Sequence, residues 1–200
     1  MKDFSKVSWH EHQKWEKEWH DNCINSYFEE TKQIIYAKKM GLVAISDRGK
    51  FPSYDVKGKS ILDIGGGAYS ILLKCINVKE AAIVDPCNYP DWIYARYKVL
   101  GIEVLKMMAE DLKGGSSFDE VWIYNCLQHT KDPKKIIENA KRQAKTIRIF
   151  EWVKHGVSIG HPQNLHAADL NEWLGGVGTV EEIYYANSHL GHGYFGVFKT

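Results

Sequence analysis

Residues Ile61-Leu62-Asp63-Ile64 run directly into Gly65-Gly66-Gly67. An apolar run holding one acid and ending in three glycines reads as a buried strand closing in a tight turn. Glycine there permits φ > 0 and removes the Cβ that would hold a ligand away from the backbone. A second apolar run, Ala81-Ala82-Ile83-Val84, ends in Asp85, 22 residues after Asp63. A glycine turn after one strand, with an acid at the tip of the next, is how α/β folds hold a nucleoside-bearing cofactor.

The pattern on either side of the turn supports that class. Residues 5–40 read as helical in two parts: Trp9 to Trp19, mostly polar, then Ile24 to Met40 with a broad apolar face stopped at Gly41. Strands are expected at Ser60–Ile64, Ala81–Val84, Glu103–Met107, Phe118–Tyr124 and Thr146–Trp152. Helices are expected at Ser70–Ile76, Asp91–Leu100, Lys134–Ala144 and Ala168–Leu174. Asp132-Pro133 opens the third of these, with proline near its first position. Residues 154–166 read as a Gly- and His-rich loop, and Glu181–Ala186 with Tyr194–Lys199 as a closing antiparallel pair. Strands alternating with helices predict a mainly parallel sheet covered on both faces.

Two hundred residues suffice for one domain with a substantial core. Hydrophobic residues make up 44%, which excludes a disordered chain. Lys and Arg (26) balance Asp and Glu (25), which argues against a protein that coats nucleic acid. No apolar run approaches a membrane span and the N-terminus lacks a signal core, so the cytosol is the expected location. Cys23, Cys75, Cys87 and Cys126 form no CxxC and read as free thiols; no metal site is expected.

The glycine spacing departs from G-x-G-x-x-G, because Ser70 stands where the third glycine belongs. Taken with the later segments, the chain instead resembles the class I S-adenosylmethionine-dependent methyltransferases. LDIGGGAYSILLK is similar to that family's first motif, IVDP to its second-strand acid, and FDEVWIYNCLQHTKDP to its fourth-strand segment. The resemblance covers roughly residues 58–155 well, and the remainder in strand order only. It implies an α/β, Rossmann-like three-layer sandwich with a mainly parallel seven-stranded sheet and an antiparallel C-terminal strand. Residues 1–200 would form a single domain, with 1–50 a helical lid and 58–200 the core.

The cofactor implied is S-adenosyl-L-methionine. Gly65, Gly66 and Gly67 would pack against its methionine and ribose portions, and Asp63 would act near its ammonium group or simply cap the turn. Asp85, followed by Pro86, would accept hydrogen bonds from both ribose hydroxyls. Ala109 and Glu110 would border the adenine, and Asn125 would reach the methionyl end. Many family members carry an acid where this chain has Met108, so Met108 would pack on the adenine ring while Glu110 takes the polar role or serves as a solvated helix start.

The protein's part in methyl transfer is to position the acceptor and, for a hydroxyl, remove its proton. His129 is the first candidate base, with a packing role beside the cofactor as the alternative. Glu151 and His155 follow the fifth core strand and form a second catalytic cluster. His161 and His166, with Trp15, Trp19 and Tyr36 from the N-terminal helices, are candidate acceptor contacts; Tyr27 and Gln33 are further lid residues. Packing on the core or a homodimer contact is the alternative use of those aromatics. The acceptor expected is a small molecule methylated on oxygen, nitrogen or carbon. A nucleic-acid methyltransferase is disfavoured, since Asn125-Cys126-Leu127-Gln128 lacks the Asn/Asp-Pro-Pro-aromatic signature. A non-catalytic cofactor-binding or partner subunit is the other alternative.

Overall fold

The computed structural model describes residues 7–20, 23–45, 52–115 and 117–200, and the side chains of residues 20–27, Tyr27 among them, lie outside the description. Two helices come first, α1 (Trp9–His20) and α2 (Cys23–Lys39). The strands are β1 (Tyr54–Asp55), β2 (Ser60–Ile64), β3 (Cys75–Ile76), β4 (Glu80–Val84), β5 (Ile102–Leu105), β6 (Glu120–Tyr124), β7 (Thr146–Val153), β8 (Thr179–Tyr185) and β9 (Ser188–Lys199). Between them lie α3 (Asp91–Val99), α4 (Pro133–Gln143) and α5 (Ala167–Leu174).

Seven strands form one sheet in the order β5-β4-β2-β6-β7-β9-β8. The five strands from β5 to β7 are parallel, and β9 runs antiparallel between β7 and β8. Every residue of β2 and β6 is buried, which is why both read as near-continuous apolar runs. One core lies on the α4 and α5 side of the sheet, with Leu62, Ile64, Val121, Ile123, Ile136 and Leu170. The other lies on the α2 and α3 side, with Tyr36, Met40, Ile61, Ile83, Ile93 and Trp122. This is a Rossmann-like α/β fold. The strand order reverses between β2 and β6, and the carboxyl ends of neighbouring strands open a crevice at such a point.

Local chemistry sets several boundaries. Asp132 accepts the amide of Lys135 at 3.0 Å and Pro133 occupies the first turn of α4. Gly175, at φ 75°, ends α5 in the left-handed region.

The region after the glycine turn departs from expectation. Ser70–Ile76 is not a helix: one 3-10 turn, Ile71–Lys74, leads into β3, which pairs in parallel with β1. Ser70 Oγ caps the turn at the amide of Leu72 (3.0 Å), and Tyr124 OH accepts the amide of Ile71 (3.0 Å). These are first-turn amides that no helix satisfies internally, so both bonds cap the turn; it ends where Cys75 becomes extended (φ −93°, ψ 145°) to pair with β1. The terminal hairpin also begins earlier, turning at Ala186-Asn187 with φ 46° and 67°. His189 and His192 therefore lie within β9.

Candidate active site

A cavity of about 690 Å³ opens at the carboxyl ends of β2, β4 and β6 and runs beneath α1 and α2. Gly65, Gly66 and Gly67 form part of its wall. Gly65 has φ 72° and Gly67 φ 61°, so both need the left-handed region. The lack of side chains also answers to the protein's own packing. A Cβ on Gly65 would lie 2.2 Å from Cys126 Sγ, and one on Gly66 2.7 Å from Asp63 Oδ2. The turn is pressed between neighbouring elements, which leaves its backbone facing the cavity.

Three phenols fix the turn from behind. Tyr97 OH donates to the carbonyl of Gly67 (2.7 Å) and accepts the amide of Ser70 (3.0 Å). Tyr124 OH donates to Asp63 Oδ2 (2.6 Å), which also accepts from Ser70 Oγ (2.5 Å). Tyr89 OH lies 3.3 Å from Asp85 Oδ2. Burial raises the pKa of all three tyrosines, so each remains a donor. These tyrosines were missed in the sequence, where nothing separates them from ordinary core aromatics; the dense Tyr89–Tyr97 stretch is the only hint.

The two acids of the opening pattern have different places. Asp85 is on the cavity wall, with Oδ2 accepting the amide of Gly67 (3.0 Å) and Oδ1 that of Cys87 (2.9 Å). Asp63 is fully buried and does not reach the cavity. Burial outweighs its bonds to Ser70 and Tyr124 and raises its pKa to about 7, and its Oδ1 has no hydrogen-bond partner. Asp63 therefore supports the turn from below and cannot touch a ligand without a rearrangement of Gly66.

Pro86, Met108, Ala109, Glu110 and Asn125 all line the cavity. Glu110 has a structural duty as well, because its Oε1 accepts the amides of Lys131 (3.1 Å) and Asp132 (3.2 Å) at the start of α4. Asn125 stands at φ 49° just past β6, and its Oδ1 accepts from Gln128 Nε2 (2.9 Å). This wall suits S-adenosylmethionine: a carboxylate at the tip of β4, turn backbone on the cavity side, and a flat apolar edge at Met108 and Ala109.

The other end is built by α1. Trp15 and Trp19 stack at 5.2 Å between centroids and line the cavity together with Trp9 and Glu16. Tyr36 lines it from the core side, with its OH accepting from Trp152 Nε1 (3.2 Å). The loop at Gly160 joins these parts. His12 Nδ1 accepts its amide (2.9 Å), and His129 Nδ1 donates to its carbonyl (2.6 Å).

That arrangement corrects the reading of His129 as a base. Its Nδ1 also lies 2.9 Å from Glu16 Oε1. Burial lowers the pKa, but Glu16 and the Gly160 carbonyl outweigh it and raise it to about 8. Its Nδ1 proton is committed to Gly160 and Glu16, and its Nε2 lies 3.3 Å from Gln128 Nε2. Glu151 is corrected too. It is fully buried, off the cavity wall, and accepts the amides of Cys126 (3.0 Å) and Leu127 (3.0 Å). Burial raises its pKa to about 7, and its role is to position the segment after β6. His166 is exposed and faces away from the cavity beside Asn164. His155 and His161 do line it, as do His189 and His192 from β9. Among the described residues no group of three His, Cys, Asp or Glu is placed to hold a metal ion.

Comparisons with known proteins agree with this geometry. Residues 62–146 match the family model described as a methyltransferase domain. No curated protein matches the chain. Among solved structures, a magnesium protoporphyrin IX methyltransferase from Synechocystis with bound S-adenosylmethionine aligns at TM-score 0.58 and 13% identity, over 88% of this chain and 82% of its own. A 1,6-didemethyltoxoflavin-N1-methyltransferase from Burkholderia thailandensis, bound to its acceptor and S-adenosylhomocysteine, aligns at 0.56 and 15% over 72% of each chain. A Haloferax volcanii putative methyltransferase in complex with the Trm112 activator aligns at 0.57 and 16%, over 86% and 78%. The family match spans less than half of the chain, and these solved structures, at 13–16% identity, share its fold. The neighbours lend no support to a homodimer. Among the described residues no helix is long and apolar enough to cross a membrane.

Proposed function

We propose that this protein is an S-adenosylmethionine-dependent methyltransferase that methylates a small flat molecule held between that cofactor and helix α1. The observation that carries this reading is the continuity of the cavity. Asp85 and the glycine turn at one end share one space with Trp15, Trp19 and His161 at the other. When bound, S-adenosylmethionine supplies an activated methyl group, so the protein's task is placement. Asp85 would hold the ribose hydroxyls, Met108 and Ala109 the adenine, and the Gly65–Gly67 backbone with Asn125 the methionyl end. The indoles of Trp15 and Trp19 give the acceptor a flat apolar wall of low conformational freedom. The named acceptors of two neighbours, 1,6-didemethyltoxoflavin and magnesium protoporphyrin IX, are also small molecules.

Calorimetric titration tests the donor half. S-adenosylhomocysteine should bind and NAD should not, and Asp85→Ala should weaken that binding at least about tenfold through loss of charge-assisted hydrogen bonds. Unchanged affinity in Asp85→Ala would refute the ribose assignment; binding of NAD alone would refute the reading as a whole.

A further inference from the structure

The acceptor end of the cavity contains one ring whose polar atoms are only half used. His161 sits in a narrow loop closed by reciprocal backbone bonds between Ser158 and His161, at 3.0 and 3.1 Å. The loop is clamped at Gly160 by His12 and His129, and Trp15 packs so closely that a Cβ on Gly160 would come within 2.6 Å of its ring. Ser158 Oγ donates to the carbonyl of Ile159 (3.4 Å) and lies 3.2 Å from His161 Nδ1. If the serine hydrogen goes to that carbonyl, Nδ1 of His161 carries the ring proton and donates to Oγ. The unprotonated Nε2 then has no hydrogen-bond partner among the described residues, on a ring that lines the cavity.

We propose that His161 Nε2 is the atom that selects the acceptor, by accepting a hydrogen bond from an uncharged O–H or N–H on a flat ring lodged against Trp15 and Trp19. This rests on the methyl-transfer reading and names the substrate class within it.

The surroundings keep the ring neutral. His129 faces His161 edge-on at 4.7 Å and His155 at 5.2 Å. Burial first, then His129 and His155, with a smaller contribution from Lys32, lower the pKa of His161 to about 3, while Glu16 on α1 acts in the opposite direction. His161 consequently stays neutral across the physiological range and accepts a hydrogen bond without removing the proton. A site built this way also discriminates strongly. A ring that lacks the donor leaves a desolvated nitrogen unpaired.

The test uses the full chain saturated with S-adenosylhomocysteine, whose binding is measured first in every variant. Failure at that step would bear on the methyl-transfer reading, not on His161. The probes are 5-hydroxyindole and indole, alike in shape except for the hydroxyl. The wild type should prefer 5-hydroxyindole by at least about tenfold. His161→Phe should erase the preference and leave indole affinity within a few-fold. His161→Gln, whose carbonyl can stand in for Nε2, should restore part of it, and His166→Ala, exposed and off the cavity wall, should leave it intact. Nitrogen-detected NMR of the histidine rings should show His161 neutral, with the proton on Nδ1, throughout the neutral range. Any of three results overturns the proposal: a preference that survives His161→Phe, failure of both rings to bind the loaded protein, or a proton found on Nε2.

Discussion

The contact between Gly65 and Cys126 makes a quantitative claim about why the turn must be glycine. Gly65→Ala places a Cβ 2.2 Å from Cys126 Sγ and 2.7 Å from Cys126 Cβ, at φ 72°. The left-handed conformation alone costs an alanine about 1 kcal/mol. Crowding in a well-packed core adds roughly 1–3 kcal/mol. The two together predict a loss of about 3 kcal/mol, a fall in Tm of roughly 6–12 °C for a chain of this size. Calorimetric unfolding measures it. The two contributions separate in the double variant Gly65→Ala/Cys126→Gly, which removes the clash and keeps the backbone strain. It should show a favourable coupling of roughly 1–2 kcal/mol relative to the sum of the single variants. Cys126→Ala should be a poorer rescuer, because the Cβ at 2.7 Å survives. If Gly65→Ala melts with the wild type, or the double variant shows no coupling, the turn is not wedged against β6 and the reasoning fails.

Asp63 gives a pH dependence of stability. Its pKa in the folded protein, about 7, lies above the model-compound value of 3.8, so the folded state holds the proton more tightly. Between about pH 4 and 7 the folded state binds more protons than the unfolded, and this contribution to stability is lost as pH rises. Asp63→Asn should flatten that slope in urea unfolding at several pH values; a slope unchanged from wild type would show that Asp63 is ionised throughout. Glu151→Gln tests the link across the site. Glu151 holds the amides of Cys126 and Leu127, and Cys126 touches the glycine turn. Weakening those bonds should lower S-adenosylhomocysteine affinity by several-fold and shift the His129 ring resonances in the same variant. A change in only one of the two readouts would rule out the coupling.

Much of the donor half was legible because its signals are local. β2, β4 and β6 are short apolar runs, and the glycine turn and Asp85 sit at their ends by chain position alone. The segment after the turn was not legible. Ile71, Leu72 and Leu73 are as apolar as a helix face, and what ends the turn is the pairing of Cys75 and Ile76 with Tyr54 and Asp55, a contact the local sequence does not mark. The final hairpin was misplaced for a different reason. Gly191 advertises a turn, whereas the turn falls at Ala186-Asn187, where only Asn favours a left-handed backbone. The acceptor half depends on contacts the sequence does not mark. Gly160 joins His129 and His12, at separations of 31 and 148 residues.

These differences in legibility follow from how the two halves are held. The donor half is fixed by the sheet itself: strand ends, a turn wedged on Cys126, and phenols rooted in β6 and α3. Its residues cannot change singly without disturbing the core. The acceptor half hangs on a few side-chain bonds from α1 to one loop, through His12, Glu16 and His129. Such contacts can be exchanged without unfolding the sheet, so acceptor choice can change while the donor site stays fixed. The His129 ring between Glu16 and Gly160 then has a structural reason: its Nδ1 ties α1 to the loop that carries His161, so closing the site and placing its acceptor contact depend on the same ring.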